Sequence, residues 1–134
     1  MLTIQLENLS SIVIIDDNEI DVFLQETILT TSGIGKDIKS FLSPIKALEY
    51  LKELNFQEKS MPDLILLDIN MPGMNGFEFL ETFNNLNQDS TPDTKVMIVT
   101  SSESMTDFEK AFSYSNVVSF KVKPLSFDSQ EFSN

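Results

Sequence analysis

The chain has 134 residues, a length that suits one globular domain, and it contains neither cysteine nor histidine. This composition excludes disulfide bonds, thiolate metal sites, cysteine or histidine nucleophiles and a role as histidine phosphodonor, so any chemistry must use carboxylates, hydroxyls or lysines. The formal net charge of −12 argues against direct binding of nucleic acid, whose phosphates attract clusters of lysine and arginine.

At the amino terminus, residues 1–10 lack the basic start and the long apolar run of a signal peptide. No apolar stretch elsewhere in the sequence is long enough to span a bilayer. We therefore expect a cytoplasmic protein that is not embedded in a membrane. We interpret residues 1–134 as a single domain, with residues 1–10 as an extension and residues 125–134 as a short final segment.

The first part of the domain alternates between compact apolar runs and amphipathic segments, a pattern typical of buried strands and covering helices. Residues 12–15 predict the first strand, and residues 37–42 predict a weaker second strand. The helix between them should run from about Glu19 to Thr31. Its expected buried face is formed by Ile20, Phe23, Leu24, Ile28 and Thr31.

A second helix is predicted directly after the second strand. Ser43 can cap its first turn, and Pro44 would occupy the first helical position. Its apolar stripe consists of Ala47, Leu48, Leu51 and Leu54. This spacing is typical of a helix with one buried face.

Three further strands are predicted in the remaining part of the chain. Residues 64–67 and 96–99 are continuous apolar runs, and residues 117–122 alternate between apolar and polar side chains. A third helix should occupy about residues 75–86, before the polar stretch 87–94. Its apolar side chains are Phe77, Leu80, Phe83 and Leu86.

The fourth helix is predicted from a capping pattern. Thr106 and Glu109 have the spacing of a capping box, so the helix should start near Thr106 and end by Ser115. Only residues 125–134 remain for a fifth helix, which must be short.

The alternation of strands and helices predicts a parallel sheet with right-handed crossovers and helices on both faces. We expect an α/β, flavodoxin-like fold with the strand order 2-1-3-4-5. Ligands of such sheets bind beyond the carboxyl ends of the strands. The polar residues expected at this edge are Asp16, Asp17, Asp68, Thr100, Ser101, Ser102 and Lys123.

Each of these residues also has a purely structural interpretation. Asp17 could cap the first helix, and Asp68 could be a turn residue ahead of Pro72. Thr100 and Glu103 also fit a local capping box. The joint placement favours a functional cluster, because unrelated caps and turns need not gather three carboxylates beside one amine and one hydroxyl.

Carboxylates that lie close together are usually held by a divalent cation. Mg²⁺ fits best, because it prefers oxygen ligands and is commonly held by one or two carboxylates together with a substrate phosphate. A carboxylate can also attack phosphorus and form an aspartyl phosphate, while a lysine and a hydroxyl bind the phosphoryl oxygens. The residue types at this edge therefore favour magnesium-dependent phosphoryl transfer to an aspartate.

Four motifs resemble those of the response-regulator receiver family of two-component systems. The matching segments are residues 14–17 (IIDD), 67–76 (LDINMPGMNG), 99–102 (VTSS) and 120–124 (FKVKP). They extend from about residue 11 to residue 125, and the segment after Asp68 is the most specific of them. The resemblance implies that Asp68 accepts a phosphoryl group.

The resemblance also implies a metal site. Asp17, Asp68 and the backbone carbonyl of Asn70 would bind Mg²⁺, and Asp16 would assist through a metal-bound water.

Further positions match the conformational switch of the family. Thr100 would be the hydroxyl that moves to the phosphoryl group, and Lys123 the amine that pairs with it. Periodicity does not separate Lys121 from Lys123, whereas the neighbouring Pro124 favours Lys123, in a bond that resembles one that is cis in this family. Phe120 stands where the family places its switch aromatic, often tyrosine, and a phenylalanine lacks the phenolic hydrogen bond.

The implied function is a phosphorylation-dependent signalling switch, not a turnover enzyme acting on a separate substrate. The expected phosphodonor is a histidine kinase or a histidine phosphotransfer protein. The expected output face comprises the fourth helix, the fifth strand and the short last helix, covered by a downstream protein or by a second copy of the chain in a homodimer. Two alternatives stay open: an α/β phosphatase with an aspartyl nucleophile, and a receiver-like binding module that works without phosphorylation.

Overall fold

Strands and helices alternate along residues 9–86 and 93–127, the part of the chain that this computed structural model describes. The strands are β1 (Ser11–Ile15), β2 (Asp37–Phe41), β3 (Leu64–Leu67), β4 (Lys95–Thr100) and β5 (Val117–Val122). The helices are α1 (Glu19–Thr31), α2 (Pro44–Phe56), α3 (Gly76–Asn84) and α4 (Met105–Phe112). None of the helices within these two ranges has the length and apolar character needed to cross a membrane.

The strands form one parallel sheet in the order β2-β1-β3-β4-β5, which confirms the predicted flavodoxin-like topology. Side chains alternate between the two faces of each strand, so the sheet separates two apolar clusters. Val13 and Ile65 pack on the face covered by α2 and α3, whereas Ile12 and Leu64 pack on the face covered by α1. The order places the ends of β1 and β3 side by side at the centre of the sheet.

The predicted starts of α2 and α3 agree with the structure. Ser43 accepts a hydrogen bond from the N–H of Lys46, and Pro44 follows it as the first residue of α2. Asn75 caps α3 in a capping box with Glu78. The helix α3 ends at Asn84, two residues earlier than predicted.

The bounds of α1 agree with the prediction, but its predicted buried face is wrong. Ile20 and Phe23 are 70% and 64% exposed, and Leu24 is exposed as well. The buried side chains are Val22, Gln25 and Leu29. Ile28 alone among the predicted apolar residues packs against the core. The prediction failed because α1 carries apolar residues on more than one side, and the polar Gln25 interrupts the core-facing stripe of Val22 and Leu29.

The helix α4 begins within one residue of the predicted start, but its predicted cap is wrong. Ser104 is the N-cap, and its hydroxyl oxygen accepts a hydrogen bond from the N–H of Asp107. Thr106 already lies inside the helix, so its hydroxyl cannot serve as the cap. Ser104 has the extended backbone that a cap requires, which is why the helix begins one residue before Thr106.

Some predictions fall outside the described residues. Residues 125–127 are not helical, and the rest of the predicted fifth helix lies beyond the described part. Most of the predicted extension at residues 1–10 and of the polar stretch 87–94 also lies outside it. The division of the chain into these segments stays a prediction.

Asp63 joins the amino-terminal ends of β1 and β3. Its Oδ2 accepts hydrogen bonds from the N–H of Ser10 at 2.9 Å, the hydroxyl of Ser10 at 3.0 Å and the N–H of Ser11 at 3.1 Å. The hydrogen bond from the N–H of Ser10 is the main reason that the pKa of Asp63 lies below its ordinary value.

We expect Asp63→Asn to lower the free energy of unfolding at pH 7 by about 0.5–1 kcal/mol, because charge-assisted hydrogen bonds are weakened. The folded-state pKa of Asp63 is depressed, so its contribution is present at neutral pH and is lost as the pH falls through that pKa. Urea unfolding at pH 7 and pH 3 measures the difference. Asp37→Asn, which removes an exposed carboxylate at the same edge of the sheet, is the control. A difference that does not change with pH would contradict the prediction.

Candidate functional site

The carboxyl ends of β1 and β3 bring the predicted acidic residues together. Asp16 and Asp17 follow β1, Asp68 follows β3, and one carboxylate oxygen from each lies within 4.8 Å of the others. The N–H of Asp68 donates to the carbonyl of Ile15 at 3.0 Å, so the pairing of the two strands continues to this residue. Asp16 and Asp68 are buried, whereas Asp17 is exposed.

Lys123 lies among these carboxylates at the end of β5. Its Nζ is 2.8 Å from Oδ2 of Asp16, 2.8 Å from Oδ2 of Asp21 and 3.3 Å from Oδ2 of Asp68. The lysine side chain is only 14% exposed. The peptide bond between Lys123 and Pro124 is cis, as the family resemblance predicted. Lys123 is therefore the lysine that reaches the acidic cluster.

Burial and charge act against each other at this cluster. Burial raises the pKa of Asp16 above its ordinary value, although hydrogen bonds from Lys123 and from the N–H of Asn18 partly offset this effect. Burial alone would lower the pKa of Lys123, but its hydrogen bonds to Asp16 and Asp21 and the charge of Asp68 raise it overall. Lys123 thus stays protonated and acts as the counter-ion of the cluster.

Two residues of α1 belong to the site although the sequence analysis did not select them. Asp21, in the first turn, forms the ion pair with Lys123, and Gln25, one turn later, donates from Nε2 to Oδ2 of Asp16 at 3.3 Å. Asp21 and Gln25 are spaced four residues apart within α1, so they lie along one side of the helix, whereas Asp17 precedes its N-cap, Asn18. This polar spacing was the available signal.

Thr100 is fully buried at the end of β4. Its carbonyl accepts a hydrogen bond from the N–H of Lys123 at 2.8 Å, and its Oγ1 accepts one from the N–H of Ser102 at 3.2 Å. Ser102 in turn donates from Oγ to Oδ2 of Asp107 in α4 at 2.6 Å. A chain of hydrogen bonds therefore connects the threonine hydroxyl to α4.

The loop after Asp68 depends on Gly76. The N–H of Gly76 donates to the carbonyl of Ile69 at 2.8 Å. A Cβ at this position would lie 2.5 Å from the backbone oxygen of Asp68 and 2.9 Å from the Cα of Ile69. Only glycine fits this close approach. Asn70 is exposed, and its N–H donates to Oδ1 of Asp68 at 3.3 Å.

Phe120 lies on β5 against the outer surface of α4. Its half-buried ring contacts the ring of Phe108 edge to face, with the centroids 5.4 Å apart, and Phe108 contacts Phe112 at 4.9 Å. Met105 and Val122 are exposed apolar side chains of the same two elements. These five residues form what we call the α4-β5 face.

The donor set of the acidic cluster suits a hard divalent cation. Its three carboxylates offer only oxygen atoms, and Mg²⁺ prefers oxygen ligands and few protein carboxylates. The carboxylates of Asp16 and Asp68 are buried close together and repel each other, and a bound cation would offset this repulsion. The exposed Asp17 leaves one side of the cluster open to solvent.

Comparisons with known proteins agree with the fold of this chain. The family model for the response regulator receiver domain matches residues 12–130. A two-component response regulator from Cytophaga hutchinsonii has a TM-score of 0.80 and 33% identity, with 88% of each chain covered. A receiver protein from Dyadobacter fermentans has a TM-score of 0.75 and 29% identity, with 90% of this chain and 91% of that one covered.

A sequence relative extends the comparison beyond solved structures. The probable methanogenesis regulatory protein FilR2 of Methanothrix harundinacea is 28% identical over 117 residues, which represent 87% of this chain and 74% of that protein. The match to the family model covers most of the chain, and the solved relatives share its fold over nearly their whole length. The chain therefore belongs to the family of response regulator receiver domains.

Proposed function

We propose that this receiver domain is a phosphorylation-dependent signalling switch that accepts a phosphoryl group on Asp68 in a reaction requiring Mg²⁺. The observation that carries the proposal is the meeting of Asp16, Asp17 and Asp68 within 4.8 Å beside the ammonium group of Lys123. A nucleophilic carboxylate, further metal-binding oxygens and a fixed positive charge are the groups that phosphoryl transfer to an aspartate needs.

The metal would be held by Asp17, Asp68 and the backbone carbonyl of Asn70, with Asp16 assisting through a water molecule. A bound Mg²⁺ would neutralise charge on the phosphoryl oxygens. Asp16 is also hydrogen-bonded by the N–H of Asn18 at 3.0 Å and by Gln25. These bonds hold its carboxylate at the inner side of the site.

In the transfer step, a carboxylate oxygen of Asp68 attacks phosphorus, and the phosphorus–nitrogen bond of a phosphohistidine breaks. The electron pair of that bond stays on the imidazole, which takes up a proton from solvent, and Asp68 becomes an acyl phosphate. Lys123, whose Nζ lies 3.3 Å from Oδ2 of Asp68, supplies positive charge where the phosphoryl oxygens arrive.

The phosphodonor must come from outside these 134 residues, since they contain no histidine. We propose a histidine kinase or a histidine phosphotransfer protein. The exposed apolar side chains of α1, among them Ile20 and Phe23, start within one turn of Asp21 and suit the docking of another helix. A cytoplasmic location follows from this proposal, because phosphohistidine is made there from ATP.

Phosphorylation would act on the α4-β5 face through Thr100. The phosphoryl group carries about −1.5 to −2 charges, and rotation of the threonine side chain towards it would break the hydrogen bond that Oγ1 accepts from the N–H of Ser102. Ser102 is bonded to Asp107 of α4, and Phe120 contacts Phe108 of the same helix. Movement of Thr100 would therefore change how the face binds a downstream protein or a second copy of the chain.

The test is incubation with acetyl phosphate, with Mg²⁺ or with EDTA, followed by intact mass measurement. We expect a gain of one phosphoryl group with Mg²⁺ and none with EDTA. Hydrogen exchange on the same samples should change in α4 and β5 when the group is present. No mass gain with Mg²⁺ would contradict the proposal, and unchanged exchange in α4 and β5 would contradict the output through this face.

The same experiment separates the alternatives. An aspartyl phosphatase of related fold typically carries a second acid two residues after the nucleophile, where this chain has the amide Asn70. We therefore propose a switch rather than a turnover enzyme, and a phosphatase would release phosphate repeatedly without accumulating the phosphoprotein. A binding module independent of phosphorylation would gain no phosphoryl group at all.

A further inference from the structure

We infer that Asp21 is a positioning residue: its carboxylate holds Lys123 to one side of the acidic cluster until a phosphoryl group arrives. The inference rests on the proposed function and concerns where Lys123 is held in the unphosphorylated protein. It depends on which carboxylates the ammonium group contacts and on which of those contacts can be released.

The contacts of Lys123 are unequal. A lysine ammonium has three N–H donors, and three carboxylates surround Nζ of Lys123. Nζ lies 2.8 Å from Asp16 and from Asp21 but 3.3 Å from Asp68. The lysine is thus drawn away from the nucleophile and towards the start of α1.

The two short contacts differ in how firmly they are held. Asp16 is 1% exposed and accepts further hydrogen bonds from the N–H of Asn18 and from Gln25. The Asp21 side chain is 29% exposed. Within the described part of the chain, its carboxylate accepts a hydrogen bond from Lys123. The contact with Asp21 is therefore the one that Lys123 can give up at low cost when it turns to a phosphoryl oxygen.

Removing the Asp21 carboxylate should have opposite effects on the affinities for Mg²⁺ and for a phosphoryl analogue. Without this partner, Lys123 pairs more closely with Asp16 and Asp68 and competes with Mg²⁺ for their oxygens, so Mg²⁺ binding weakens. The same lysine no longer has to leave Asp21 before it reaches a phosphoryl oxygen, so a phosphoryl analogue binds more tightly at saturating Mg²⁺. A general loss of structure would weaken both ligands together.

The experiment compares Asp21→Asn with Glu19→Gln by calorimetry, using Mg²⁺ alone and then beryllofluoride at saturating Mg²⁺. Glu19 lies in the same first turn of α1, is exposed, and forms no ion pair with Lys123 in the described residues. The substitution Glu19→Gln removes the same negative charge as Asp21→Asn but leaves the contacts of Lys123 in place. For Asp21→Asn we expect about a fivefold weaker affinity for Mg²⁺ and about a fivefold tighter affinity for beryllofluoride, the scale of a partly exposed ion pair.

A second readout does not depend on either ligand. In the metal-free protein, the side-chain NMR signals of Lys123 should shift in Asp21→Asn and stay in place in Glu19→Gln. Equal affinities and equal Lys123 signals in the two variants, or both affinities weakened in Asp21→Asn, would overturn the inference. A wild-type protein that binds neither Mg²⁺ nor beryllofluoride would instead overturn the proposed function, while the metal-free NMR comparison still decides the role of Asp21.

Discussion

Asp68→Asn should reduce the gain of a phosphoryl group from acetyl phosphate to background, the largest effect that we expect from any single substitution. The amide has nearly the shape of the carboxylate, but its oxygen is too weak a nucleophile to attack phosphorus. The loss of one of three clustered carboxylates should also weaken Mg²⁺ binding. Intact mass after incubation with Mg²⁺ and acetyl phosphate measures the first effect, and calorimetry measures the second.

The control for this variant is Asp63→Asn. Asp63 directly precedes β3 and Asp68 directly follows it, so the two aspartates lie at opposite ends of one strand. Asp63 contacts Ser10 and Ser11, far from the acidic cluster. We expect Asp63→Asn to be phosphorylated like the wild type. Phosphorylation of Asp68→Asn, or its loss in both variants, would show that another residue accepts the group.

The fold was predictable because its signals are local and strong. Runs such as residues 64–67 are apolar throughout, as strands covered on both faces require. The predicted carboxyl ends of the strands put polar residues at one edge of the sheet, and the structure brings Asp16, Asp17 and Asp68 together there. That agreement concerns position, and the chemical role of each residue stays a proposal.

The parts that could not be predicted depend on tertiary contacts. Apolar spacing in α1 selected Ile20 and Phe23 as core residues, yet both are exposed. Gln25 is buried instead, because Asp16 on the neighbouring strand end accepts its amide hydrogen bond. The polar spacing of Asp21 and Gln25 marks one side of the helix, but no property of the helix considered alone shows which residues they contact. Asp21 was missed for the same reason, since its ion pair with Lys123 spans 102 positions of the sequence.

Lys123→Met should destabilise the metal-free protein by about 3 kcal/mol at pH 7, the scale for removing one partner from a buried ion pair. Asp16 and Asp68 would lose the ammonium group that lies 2.8 and 3.3 Å from their oxygens. Burial already raises the pKa of Asp16, and Lys123 is one of the groups that lower it. A raised folded-state pKa of a carboxylate favours folding as the pH falls, so the deficit should be greatest at neutral pH and shrink below it.

Because a divalent cation can replace the missing positive charge, Mg²⁺ should stabilise Lys123→Met more than it stabilises the wild type, while phosphorylation of the variant slows. Urea unfolding with EDTA and with Mg²⁺ measures this difference. Lys121→Met is the matched control, since Lys121 lies in β5 two residues before Lys123, and its Nζ is 5.5 Å from the ring centroid of Phe127. If metal-free Lys123→Met were as stable as Lys121→Met, Lys123 would not be the counter-ion of the cluster. The contacts of Lys123 with Asp16 and Asp68 would then contribute only to phosphoryl transfer. The clustered carboxylates of the metal-free protein would be stable without a neighbouring positive charge.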